Sequence, residues 1–547
     1  MCYVSFAEFG AVNLAKEHAW FVVFATRSNV VTKVSGGMSQ VTAQLLRSIL
    51  HSNTCFVEDS GLLLKGPLPE DRLRIFFKLG FMLQDGLAHK SIWSLKGDSG
   101  TKFCIFCSNL VSKRSSLPHE VLTTQAFDPS ALQLATDQDL QGTFSRLASR
   151  AGTVSKDDFK LWEQAVGFNC NEHSLPWDPI LGPHLKPCSQ FVHDWMHTMF
   201  VGGVFPVLMG LTLNSLQTEF KTNTYKLLAD YMKLWTLPGS IKDDMSSLFS
   251  KKRHDANKDA GIFKCTAGEG LGVYPLFAFW LAFTVQPTGA CTKAITCFLA
   301  LADLLDLIQG VIHIESAADL IDDAVSNLLS RCLDCNYVDR MASKFHWLVH
   351  FGFHIRKFQE AGLGQMLPSC FAQERKHKVA KRYGQGISNT TKFEYSILNE
   401  VVCHELAQLE ELEQFSQACR LVKKSVAPKK LATLVRQVFG SNIQDIWTCT
   451  QVHLSPAGSC QKKDVVVIRG QALQVAQVWV HAAFEDQVVS LVSLWETKEY
   501  DPHLGFATAL KKDEAEFINT HSIICAIPFC NVKDDLYRVL LPVHLRK

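Results

Sequence analysis

The feature that most constrains this chain is the stretch from Ile75 to Cys107, IFFKLGFMLQDGLAHKSIWSLKGDSGTKFCIFC. An apolar run, Ile75 to Leu83, ends in Gln84 and a carboxylate, Asp85. Gly86, a polar turn, the pair Lys96 and Gly97, and a Cys-x-x-Cys at Cys104 and Cys107 follow. A short apolar run bounded by turn residues suits a buried strand, with a buried helix segment as the alternative. A carboxylate just past the end of such a strand leaves the core where oxygen ligands can meet a hard cation. An isolated Asp at that place more often caps a turn. Residues far along the chain favour the metal reading.

At 547 residues, two or three domains are expected. The composition is globular, 47% hydrophobic and 20% charged, and it leaves little room for long disorder. A net charge of +2 means that any nucleic-acid surface must be a local patch. Eighteen cysteines behind an N-terminus, MCYVSFAEFG, that carries no secretory pattern argue for a reducing compartment and against secretion. The most apolar windows, Val273–Pro287 and Ala294–Ile312, read as buried helices. The first is short for a bilayer, and the second carries Asp303 and Asp306, so no membrane partner is expected.

Along the chain, YVSFAEF and WFVVFATRSNVV read as strands around a helical AVNLAKEHA, and Ser39 to Leu50 reads as an amphipathic helix. With the Ile75 strand these suggest the first part of a mixed sheet covered by helices, residues 1–200. A nearly continuous helical block, residues 201–345, reads as an all-α insertion. Residues 346–437 complete the core with an acidic and basic helix, a charged helical stretch at Asn399–Val422 and the basic linker KKSVAPKK. From 438 to 547 the hydrophobic period changes to two, as in DVVVIRG and QVVSLVSLW, which predicts a small, independently folding β-barrel or sandwich.

Two further clusters carry chemistry. FVHDWMH places Asp194 and His197 three apart, on one helix face, able to point at one ligand or at each other. CFAQERKHKVAKR places Glu374 early in a helix, with Lys376, Lys378, Lys381 and Arg382 in the turns after it. Those four cations suit the phosphates of a strand lying across a site, the plain alternative being a solvated helix face. Cys104 and Cys107 read as half of a zinc site, with Cys170 and His173 of CNEH as candidate partners and two buried thiols as an equal alternative. Cys332 and Cys335 read as core cysteines. His346, His350 and His354 recur at i+4, with no Glu after His346 or His350 for metalloprotease chemistry, and read as satisfied or surface histidines.

Taken in order, Asp85, the Lys96–Gly97 pair, CIFC, DWMH and Glu374 in CFAQERKHK resemble the motif series of CACTA-type transposases, including their Plavaka-like relatives. The resemblance covers residues 1 to about 400. It implies an α/β, ribonuclease-H-like core with a large all-α insertion, and metal-dependent DNA strand cleavage and transfer. Asp85 and Glu374 would be ligands of Mg2+ or Mn2+, and Asp194 with His197 would support the site. Zn2+ at Cys104 and Cys107 rests on their own spacing, with two buried thiols as the equal alternative. In the family an earlier strand supplies a first catalytic Asp, whereas no Asp precedes Asp59 here. That departure predicts an N-terminally truncated, catalytically impaired chain, with Glu8 as the one substitute in a strand-like run. DNA at transposon ends is the expected partner, homo-oligomer formation is left open, and the nucleus is favoured over the cytoplasm. The alternatives are a non-catalytic DNA- or chromatin-associated protein and a decayed transposon reading frame. The structural expectations are that Asp85 and Glu374 lie close and that His197 is largely buried.

Overall fold

Whether the Asp85 run is a strand depends on what it can pair with. In the computed structural model, which describes residues 1–52, 55–68, 70–112, 127–221, 223–388, 391–409, 418–454, 458–470 and 473–546, only Met82–Gln84 is strand. Its partner is Phe191–His193, in parallel, with Met82 opposite Phe191 and Gln84 opposite His193. The partner is three residues long and fully buried, so the ladder can be no longer. The upstream part of the apolar run behaves differently. Arg72–Ile75 pairs with Leu62–Lys65 in a separate exposed hairpin, and Phe76 is 57% exposed.

The chain divides into two compact units, Met1–Val204 with Ser316–Glu411, and Phe205–Glu315 with Leu412–Lys547. In the first, Cys2–Val4 pairs antiparallel with Phe21–Phe24. The Glu405 carboxylate, from the Phe393–Leu409 helix, accepts the Val22 N–H at 3.0 Å and satisfies that edge. Gly37–Leu50 is helical, and Ser39 donates to the Ile92 carbonyl at 2.6 Å, tying it to the helix that follows Asp85. Beneath the parallel pair, Val192, Phe358 and Met366 form an apolar cluster, so the Phe351–Glu360 helix supports the strand that ends at Asp194. The expected mixed sheet is, among the described residues of this unit, the parallel pair plus separate antiparallel hairpins.

The second unit combines the helical segment and the C-terminal β region, where two separate domains were expected. The meander Gln474–Phe484, Gln487–Asp501 and Phe506–Asn519 is the centre of its large sheet. Trp235–Thr236, from the helical segment, pairs with the edge strand Phe529–Lys533. The Gly239 N–H donates to Asp464 at 2.8 Å, and Phe279 packs edge-on against Phe506 at 5.5 Å. The helices thus bury apolar faces on the sheet, which the change of period at 438 does not reveal. The insertion also ends earlier than residue 345, because Ala317–Asp334 belongs to the first unit. The overall class is mixed α/β with a C-terminal sheet.

By length and composition alone, Trp195–Phe220, Ala267–Thr288 and Thr292–His313 could cross a membrane. In the structure 61%, 50% and 67% of their most apolar windows are buried. The charged stretch expected at Asn399–Val422 is helical to Leu409, and its 410–417 portion lies outside the described residues.

Candidate active site and metal centre

Each parallel strand ends in a carboxylate that caps the next helix. Asp85 accepts the Ala88 N–H at 2.7 Å, and Asp194 accepts those of Met196 at 3.0 Å and His197 at 3.4 Å. Capping satisfies orphan donors and puts negative charge at the positive end of a short helix. It also fixes both carboxyl groups at the same end of the strand pair, since Gln84 and His193, the residues before them, are in register.

Asp194 is the more tightly held of the two. Its side chain is fully buried and also accepts from the Cys370 N–H at 3.0 Å and from His197 Nδ1 through a short hydrogen bond. The Asp194 bond leaves Nε2 as the other face of the ring, and Nε2 lies 3.9 Å from Glu374 Oε1. Burial works against the His197 imidazolium, but the hydrogen bond and charge of Asp194, joined by the charges of Asp85 and Glu374, outweigh it and raise its pKa. Asp85, Asp194 and Glu374 act together on Cys370 as well, whose thiol is pushed up by burial and by the three carboxylates. The His197 side chain is only 15% exposed, as expected, while that of Glu374 is 52% exposed.

A cleft of about 450 Å3 opens beside Asp85 and His197. Lys90, Phe103, Lys344 and Trp347 form its other walls. Gly86 is required there, because a Cβ on it would stand 2.8 Å from the Trp347 ring.

The Cys-x-x-Cys finds its partners elsewhere than expected. Cys104, Cys107, His346 and His350 are all buried, with one ligand atom of each within 4.8 Å of the others. Cys104 Sγ is 3.3 Å from His350 Nε2, Cys107 Sγ is 3.5 Å from His346 Nε2, and the two imidazole Nε2 atoms are 3.2 Å apart. The histidines read as satisfied or surface are therefore buried members of a group that can hold a metal ion. Cys170 and His173 are not members of that group, and His173 is half exposed beside Glu172. Burial opposes a Cys104 thiolate, but the Cys107 hydrogen bond and the two imidazoles outweigh it and hold that thiol well below its ordinary range. Cys107, on the other side of that bond, is pushed up. The signal in the sequence was the His-x-x-x-His itself, which puts both rings on one helix face. Spacing alone could not pair it with cysteines 239 residues away.

The basic helix also needs correction. Lys376 is 5% exposed, forms a 2.6 Å ion pair with Glu405 and donates to the Trp20 carbonyl, so it holds the fold together and cannot reach DNA. Lys378, Lys381 and Arg382 are exposed on the Phe371–Gly386 helix that carries Glu374. Glu8, expected in a strand-like run, lies in the short helical turn Ala7–Phe9. Cys332 is fully buried in the Ala317–Asp334 helix. No family model, curated protein or solved structure matches the chain.

Proposed function

We propose that the first unit is the catalytic core of a transposase-derived, metal-dependent enzyme that cleaves and transfers DNA strands, built on a ribonuclease-H-like plan. The observation that carries this reading is the convergence of three carboxylates from distant segments. Asp85 and Asp194 end adjacent parallel strands, and Glu374 arrives on a helix facing the same His197. Asp85 borders the cleft and Glu374 is half exposed, and carboxylate oxygens are the donors a hard divalent cation such as Mg2+ or Mn2+ takes. Asp85 and Glu374 would hold it, and bound there it would supply Lewis acidity to the attacking and leaving oxygens of a phosphodiester. The chain's own contribution is then positional. Asp194 fixes His197 through Nδ1, so that Nε2 is aimed to take the proton of an attacking water or 3′-hydroxyl. With only Asp85 and Glu374 counted, the site looked one acid short. Asp194 does not make up that number, because its buried oxygens accept three backbone N–H groups and His197 Nδ1. Two carboxylates are left for the metal, and impaired cleavage is the expected outcome.

The Cys104, Cys107, His346 and His350 group is assigned to zinc. A tetrahedron with Zn–S of about 2.3 Å and Zn–N of about 2.0–2.1 Å has edges of roughly 3.3–3.8 Å. The sulfur–nitrogen separations of 3.3 and 3.5 Å and the nitrogen–nitrogen separation of 3.2 Å lie close to that range. Four protein ligands and full burial make it a closed, structural site. Exposed Lys378, Lys381 and Arg382 beside Glu374 suit the phosphates of DNA, the proposed partner, in a nuclear setting. The three apolar helices are taken as parts of packed cores.

A cleavage assay on end-labelled DNA in Mg2+ or Mn2+ tests this. Cleavage by the wild type that disappears in both Asp85→Asn and Glu374→Gln supports the reading. DNA binding without cleavage by the wild type replaces it with the non-catalytic alternative, and cleavage that survives in both variants overturns it.

A further inference from the structure

The cleft beside the carboxylates says which form of polynucleotide the site takes. Its volume, about 450 Å3, is that of a pocket for one small molecule, on the order of 300–1,000 Å3, enough for one nucleotide and too little for a length of duplex. Its walls combine two kinds of group that together recognise single strands. The first is cationic. Lys344 lies on the helix that carries His346, and its ammonium donates to the His197 carbonyl at 3.0 Å and to the Val201 carbonyl. Two of its three N–H groups are thereby used, and Lys344 lines the cleft on the side of Asp85 and His197. Lys90, on the helix capped by Asp85, lies exposed along Gly97, where a Cβ would stand 3.2 Å from its Cδ.

The second kind is aromatic. Trp347 stacks on His193 at 5.0 Å with an interplanar angle of 25°, which locks its ring at the cleft wall. Phe103 is set edge-on to His346 at 5.3 Å. Trp347 is thus held by His193, and Phe103 by His346 of the Cys/His group, before any ligand arrives. Cations that follow a phosphate backbone, alternating with aromatic faces that stack bases, are how proteins hold unpaired strands without reading sequence. A base inside a duplex keeps its faces covered by its neighbours and cannot use such walls.

We propose that this cleft binds a single unpaired polynucleotide strand in preference to duplex, with a phosphate held by Lys344 and Lys90 and a base against Trp347 or Phe103. The proposal rests on the strand-cleavage reading for what happens next, but its test does not. Fluorescence anisotropy with labelled oligothymidine, and with a blunt duplex of the same length, measures binding in Ca2+, without turnover. Expected are about tenfold or greater preference for the single strand, a loss of about tenfold in Lys344→Met, and recovery of most of it in Lys344→Arg. Lys90→Ala, at an exposed position, serves as a second variant independent of folding and should weaken the strand several-fold. An oligouridine arm separates RNA from DNA, and tight binding of either supports the proposal. Equal or tighter binding of the duplex overturns it, as do unchanged affinities in folded Lys344→Met and Lys90→Ala. If Asp85→Asn and Glu374→Gln still cleave while the single-strand preference holds, the cleavage reading fails and this one stands.

Discussion

The two clusters of the first unit draw on neighbouring stretches of chain and differ in almost every physical respect. The Cys/His group is fully buried and offers soft sulfur and nitrogen donors from four residues. The carboxylate group is graded, from Asp194 with no exposed side-chain surface to Glu374 at 52%, its donors are hard oxygens, and Asp85 among them lines a cleft. A closed four-ligand site has no coordination position left for a substrate, whereas an open one keeps room for a water or a reacting oxygen. The difference teaches a division of labour. The Ser343–Trp347 helix carries His346 into the closed group and also carries Lys344 and Trp347 to the open cleft, so the two share one element.

The largest effect that could break this comparison is loss of the closed group. Cys104→Ser, or thorough chelation, should remove one equivalent of zinc and destabilise the first unit by several kcal/mol or more. Calorimetry with metal analysis checks this, and an unchanged melting profile after the metal has left would show that the group is not structural. Next comes Asp85→Asn, which should lower cleavage by roughly 10²–10³-fold, as removing one preorganised charge-stabilising group does. Asn still caps a helix, so its thermal midpoint should stay within a few degrees. A collapse of the fold in that variant would remove the distinction between the two clusters.

Asp194→Ala should do both kinds of damage. Three backbone N–H groups and His197 Nδ1 lose their acceptor, at a cost of about 1–3 kcal/mol for the buried donors, and His197 loses its orientation. Denaturation and the cleavage rate should therefore fall together, and a variant as stable as wild type would contradict the buried network. The smallest effect is on pH dependence. Folding raises the His197 pKa above its ordinary value of about 6.5, so its stabilisation is full below that pH and is lost as pH rises through the folded pKa. The stability gap between wild type and His197→Gln should shrink from mildly acidic to alkaline pH. A gap that widens would mean that burial, not Asp194, dominates.

How much of this could be read in the sequence depended on range. Asp85 at a strand end and Glu374 on a later helix follow from local pattern, and so did the burial of His197. Asp194, read on one helix face with His197, instead ends a strand and caps the Trp195–Met199 helix, from where its carboxylate still meets His197 Nδ1. The partners of Cys104 and Cys107 did not, because His346 and His350 reach them only once the fold is made. Lys376 shows the same limit. Its neighbours in sequence are exposed cations, and only the docking of the Phe393–Leu409 helix, with Glu405, turns it inward. The unit boundary was missed for a related reason. Period two reports a sheet with one covered face, but not that helices from 205–315 do the covering. The Ile75–Leu83 run was read as strand on composition, yet a strand is only as long as its partner allows, here Phe191–His193.

The central claim is that Asp85 and Glu374 share a hard divalent cation next to the Asp194–His197 pair. Anomalous diffraction from crystals of the wild type soaked in Mn2+ tests it most directly. The account predicts a manganese peak within about 2.0–2.6 Å of carboxylate oxygens of both Asp85 and Glu374, absent in Glu374→Gln. Manganese bound elsewhere, or no peak between those two residues in crystals that take up the ion, would contradict it.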